Sequence, residues 1–145
     1  MKSSVKIRKI DSYDPALLDL AIKDFLDSNR SSKLSKAKRV LIKTNALGAY
    51  APERAVTTHP AVLEALIKYL LAKGKDVWLG DSPGGSLGFN HVFETCGYTA
   101  LAEKYPIKLV NLSTSGTREL ISDGYPLRVS DAIWRCGAVI NVAKY

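Results

Sequence analysis

Lys43, His59 and Asp81 each stand where an apolar run meets a turn or a helix start, and between them they offer a cation, a proton-transfer group and a carboxylate. That trio suits proton transfer or electrostatic stabilisation on a small anionic substrate. Lys43 follows Val40-Leu41-Ile42, where an unpaired ammonium is costly to desolvate, so it needs a carboxylate, a phosphate or water. Asp81, closing the run Val77-Trp78-Leu79-Gly80, is one such partner, and a Lys43–Asp81 pair across neighbouring strands is the purely structural alternative. His59 precedes Pro60 at a helix start, beside free helix N–H groups, a position suited to meeting an anion or passing a proton.

Around these three lie groups that could hold the ligand: Asn45, Thr57, Thr58, Ser82, Gly84, Gly85, Asn141 and Lys144. For the two threonines, capping of helix amides and ligand contact are both open. Gly84 and Gly85 permit backbone conformations closed to other residues, so their N–H groups could cradle an anion. The turn Gly80-Asp81-Ser82-Pro83-Gly84-Gly85 has neither the Lys-Ser/Thr ending of a P-loop nor the spaced glycines of a dinucleotide fingerprint. Asp81 opposes an anion there unless Lys43 or a metal ion offsets its charge. Asp81, His59 and Asn45 would be the donors of a metal variant of the site, but the expectation is no metal. His91, after Asn90 on the polar side of its helix, reads as a surface residue.

The elements that must position these groups alternate between strand and helix. Val5–Ile10 alternates like a short strand, and Asp14-Pro15 then starts a helix with apolar residues at Leu17, Leu18, Ala21, Ile22, Phe25 and Leu26. Arg39–Thr44 reads as a strand covered on both faces. A second amphipathic helix spans Pro60–Lys73, stopped by Gly74, and Asp76–Gly80 is the next strand. Helical stretches follow at Leu87–Cys96 and Thr99–Lys104, then a strand at Ile107–Leu112. Short strands are expected near Glu119–Ile121 and Pro126–Val129, a helical turn at Asp131–Cys136 and a last strand at Ala138–Val142. The expected fold is therefore α/β: a mostly parallel sheet with helices on both faces in Rossmann-like layers, its strand order unknown. In such a sheet the ends carrying Lys43, Asp81 and Asn141 share one edge, where open α/β sheets bind ligands.

With 145 residues the chain suits one α/β domain over residues 1–145. No apolar run approaches the roughly 20 residues that span a bilayer, and the charged first ten residues do not form a signal peptide; a cytoplasmic protein without membrane association is expected. The formal net charge of +7 concentrates in Arg30, Lys33, Lys36, Lys38 and Arg39. No aromatics interleave with those charges for base stacking, so nucleic acid is not the expected partner. Cys96 and Cys136 lie far apart without close-spaced companions, and Cys96 shares an apolar stripe with Phe89, Val92 and Phe93, the pattern of a buried thiol.

Four segments together, Val40-Leu41-Ile42-Lys43-Thr44-Asn45, Pro52 to Pro60, Gly80 to Gly85, and Val139-Ile140-Asn141-Val142-Ala143-Lys144, closely resemble the domain-of-unknown-function family 362 from about residue 37 onward. The resemblance implies a bacterial or archaeal protein in a redox setting, because many members carry a ferredoxin-type iron–sulfur module. This chain departs from the family at Thr44, where proline is usual, and at Val142-Ala143-Lys144, where Leu-Pro-Lys or similar is usual, and it holds no cluster-binding cysteine motif. No cofactor is expected within the chain itself, although an iron–sulfur cluster is implied for full-length relatives, and the resemblance implies a domain truncated at its C-terminal end. Two functions stay open: an enzyme or half-site acting on a small anionic molecule, and a non-catalytic domain that binds a ligand or docks a ferredoxin-like module.

Overall fold

The computed structural model describes residues 5–28, 32–84 and 87–144. Its centre is a four-stranded parallel sheet of β1 (Arg39–Lys43), β2 (Asp76–Asp81), β3 (Lys108–Asn111) and β6 (Ala138–Asn141), in the order β3-β2-β1-β6. The expected parallel α/β architecture is thus present, and the strand order is now defined. In register, Lys43 stands between Gly80 of β2 and Asn141 of β6. The chain moves from β1 outward through β2 to β3 and then returns to place β6 on the opposite side of β1.

Helices α1 (Pro15–Ser28), α2 (Ser32–Lys36), α3 (Pro60–Ala72), α4 (Phe89–Thr95) and α5 (Tyr98–Lys104) precede or link these strands. On one sheet face, Val40, Ile42, Val77 and Leu79 pack with Leu63, Leu66, Ile67 and Leu70 of α3 and with Val92, Phe93, Tyr98 and Leu101. α1 adds Ile22 and Leu26 to this core and joins α3 through the Lys68–Asp19 ion pair and a 2.7 Å bond from the Tyr69 hydroxyl to Asp27. Helix α4 yields to α5 at Gly97, whose φ of +77° suits a residue without a side chain.

The other sheet face is covered more thinly. Leu41, Trp78, Val110 and Leu112 pack with Ala132 of the short helix α6 (Asp131–Trp134) and with Ile133 and Cys136. Cations complete the cover: the Arg39 guanidinium lies 4.4 Å and the Lys108 ammonium 4.7 Å from the Trp78 ring centroid. Such contacts shield an aromatic face where no apolar neighbour reaches it.

Two expectations change. Residues 5–10 form no strand; Val5 and Ile7 are exposed, and the segment lies along α1 through Lys6–Ser28 and Arg8–Asp24 contacts. Alternation is a sufficient signal only if a strand edge accepts the backbone, and here the charged half of the pattern finds helix partners instead. The turn-rich stretch forms a complete antiparallel hairpin, β4 (Thr117–Ser122) with β5 (Tyr125–Ser130), longer than the fragments expected. Asp123 and Gly124 make its turn with φ of 51° and 83°, the pairing that a two-residue hairpin loop requires.

Gly80 explains how tightly β2 and β3 approach. A Cβ there would sit 2.7 Å from the Val110 carbonyl oxygen. Gly80→Ala is therefore expected to lower stability by about 1–3 kcal/mol, measured by urea unfolding, because only backbone movement can relieve the clash.

Candidate functional site

Asp81 ends β2 and is buried, 6% exposed, so its carboxylate must be satisfied inside the fold. Oδ2 accepts the Ala46 N–H at 2.6 Å and lies 3.5 Å from the Thr44 hydroxyl. Oδ1 accepts the Ser82 N–H at 2.8 Å and pairs with the Lys43 ammonium at 2.9 Å. The structural alternative for Lys43 is therefore realised. It does not consume the lysine: Lys43 also donates to the Thr44 carbonyl at 3.0 Å, one of its three N–H donors remains, and its side chain is 38% exposed.

A second knot joins the ends of β1 and β6 to the start of α3. The Thr58 hydroxyl accepts the Asn45 N–H at 2.9 Å and donates to the Val142 carbonyl at 2.7 Å. The Thr58 N–H returns a bond to the Asn45 carbonyl, and the Asn45 amide donates to the Val56 carbonyl. The buried Tyr98 hydroxyl closes the knot by donating to the Thr58 carbonyl at 2.7 Å. Burial holds that phenol well above its ordinary range, so it stays protonated as a donor. Thr57 and Thr58 are both buried, and Thr58 is spent on the fold.

His59 caps α3. Its Nδ1 accepts the Ala61 N–H at 3.2 Å, which leaves the proton of the neutral ring on Nε2. Burial lowers the pKa, Lys144 adds to the lowering, and Glu53 in the 3-10 turn Pro52–Arg54 opposes it. Tyr13 stacks flat on the imidazole, with ring centroids 3.5 Å apart.

The expected residues thus separate into groups. Lys43 and Asp81 are joined directly, as are Asn45 and Thr58. Asn141 is exposed and, as the register partner of Lys43, points to the Trp78 side of the sheet, whereas His59 begins the helix that covers the other side. Ser82 and Gly84 are exposed beside Asp81, Lys144 is partly exposed, and Gly85 lies outside the described residues. Tyr98, Tyr13 and Thr44 were missed. Tyr98 reads in sequence as an ordinary helix start, and nothing near Tyr13 signals contact with a residue so far along the chain.

Residues 40–145 match the family model described as Domain of unknown function (DUF362). The chain belongs to the DUF362 family. Searches of curated proteins and of solved structures give no match. The DUF362 match includes every candidate residue named above, while α1, α2 and Tyr13 precede it. The two cysteines do not fit the iron–sulfur cluster implied for DUF362 relatives. Cys96 is buried in the core under α3 and Cys136 packs on the opposite sheet face, where burial pushes its thiol pKa up. Among the described residues, no group of three or more His, Cys, Asp or Glu side chains is placed to hold a metal ion, and no helix is long and apolar enough to cross a membrane.

Two outcomes follow from this geometry. Thr58→Val removes a buried hydroxyl with two partly buried partners and should cost about 1–3 kcal/mol, read by urea unfolding, with Tyr98→Phe costing less. The second concerns acid. Because the folded state disfavours the His59 imidazolium, unfolding takes up a proton, and the histidine's contribution is complete above the unfolded pKa near 6.5 and lost as pH falls below it. His59→Asn retains a capping oxygen without a titrating ring, so its stability should decline less than the wild type's between pH 7.5 and 5.5.

Proposed function

We propose that the carboxyl edge of the sheet between β1 and β6 binds a small molecule through an anionic group, a carboxylate or phosphate. The supporting observation is the strand order: β1 and β6 are neighbours at which the winding of the sheet reverses, and open α/β sheets bind ligands outside the strand ends at such a reversal. Lys43 and Asn141 end those two strands in register, offering an ammonium N–H and an exposed amide. Lys144, the Ser82 hydroxyl and the backbone at Gly84 supply further donors along the edge, and the His59 Nε2–H joins it from the α3 side, beside Lys144.

In this reading Asp81 is a positioning group. Its charge is answered by Lys43 and two backbone N–H groups, so it orients the lysine without exchanging a proton with the ligand. Asn45, Thr57 and Thr58 hold the β1 and α3 ends in place. Lys43 and His59 are the groups able to stabilise charge that develops on a bound anion.

Titration of inorganic phosphate, followed by amide chemical shifts at low ionic strength, should perturb residues 43–46, Ser82, Gly84 and residues 141–144. Lys43→Met, which keeps the aliphatic stem, should weaken phosphate binding roughly ten- to a hundredfold, the scale of one charged hydrogen bond. Unchanged affinity in Lys43→Met, or shifts confined to other regions of the chain, would overturn the reading.

A further inference from the structure

Tyr13 lies outside the family-matched residues, yet it makes the closest aromatic contact of the candidate edge. Its ring and that of His59 are 3.5 Å apart between centroids and only 6° from parallel. The segment carrying it is held at both ends. Upstream, Arg8 pairs with Asp24 at 2.9 Å; downstream, Asp14 caps α1 by accepting the Leu17 N–H at 3.0 Å. Helix α1 in turn is fixed on α3 by Ile22 and Leu26, which pack on the core that α3 covers, and by the Asp19 and Asp27 contacts with Lys68 and Tyr69. Tyr13 is thus delivered to the start of α3 by a helix that packs on α3 itself.

A capping imidazole with one hydrogen bond can still rotate about its side-chain torsions. The Ala61 N–H fixes Nδ1, and the tyrosine ring fixes the plane, so the two contacts together leave the Nε2–H one direction. We infer that Tyr13 is a positioning residue for His59, holding the imidazole so that its Nε2–H points as a fixed donor for the anion. This inference rests on the reading that the edge accepts an anionic ligand. The charged groups around the ring are Glu53 from the 3-10 turn and Lys144 beyond β6, with Asp14 flanking Tyr13 on the N-terminal segment. Glu53 and Lys144 oppose one another electrostatically, and the tyrosine ring covers one face of the imidazole.

The test compares wild type, Tyr13→Phe and Tyr13→Ala by imidazole nitrogen NMR across a pH titration, and by phosphate binding at pH 8, where the ring is neutral. Tyr13→Phe should retain the wild-type midpoint and nitrogen shifts. Tyr13→Ala should raise the His59 midpoint as the uncovered ring face meets water. It should also change the separation between the two nitrogen shifts and weaken phosphate binding roughly two- to tenfold. A Tyr13→Ala variant that melts earlier but keeps the wild-type midpoint and nitrogen shifts would overturn the inference, since the stack would then be structural only. If wild type binds no phosphate, the anion reading fails by itself, and the nitrogen titration still decides whether Tyr13 governs the His59 ring.

Discussion

The Thr58 hydroxyl is the contact on which the edge of this sheet depends. One oxygen, buried and using both its donor and its acceptor capacity, holds the chain leaving β1 against the chain leaving β6. The same residue's carbonyl receives the Tyr98 hydroxyl, so the starts of α3 and α5 are tied to that point as well. Buried polar groups are stable only when fully answered, and a fully answered group admits few other arrangements of its neighbours. The spacing between Lys43 and Asn141 is therefore set by a residue that has no donor left to offer a ligand.

Asp81 has a related role on the adjacent strand. A buried carboxylate that binds the Ala46 and Ser82 N–H groups organises the turns after β1 and β2, and the Lys43 ammonium neutralises it from the solvent side. The pair is asymmetric in exposure, 38% for lysine and 8% for aspartate, so the acid belongs to the interior and the cation to the surface. What the edge shows to solvent is consequently rich in donors, although an acidic residue lies at its centre.

Much of this was legible in the sequence because local patterns and tertiary structure agree. Val40-Leu41-Ile42 and Val77-Trp78-Leu79 are strands buried on both faces, and the stripe from Val62 to Leu71 is the helix that covers them. Lys43, Asp81 and Asn141 end β1, β2 and β6 as the pattern of apolar runs predicts. Their division of labour was not legible, because it depends on strand order and on hydrogen bonds between residues separated by tens of positions, such as Thr58 with Val142. The N-terminal segment misled for a different reason. Val5, Ile7 and the charges between them satisfy the pattern of a strand, but pairing requires an available edge, and the Arg8–Asp24 contact turned the segment along α1 instead. Tyr13 could not have been singled out, since aromatic stacking leaves no periodic trace.

The position of β1 also has a temporal side. Its partner β2 follows after one helix, but its other partner, β6, lies roughly a hundred residues further along, and long-separated pairings are slow because loop closure must precede their reward. During synthesis, one flank of the central strand stays bare until β6 leaves the ribosome, and the Thr58 hydroxyl waits equally long for the Val142 carbonyl. The nascent chain therefore passes through a stage with an open, apolar sheet margin, the kind of surface that invites pairing with other chains. Completion of the edge and burial of that margin are one event.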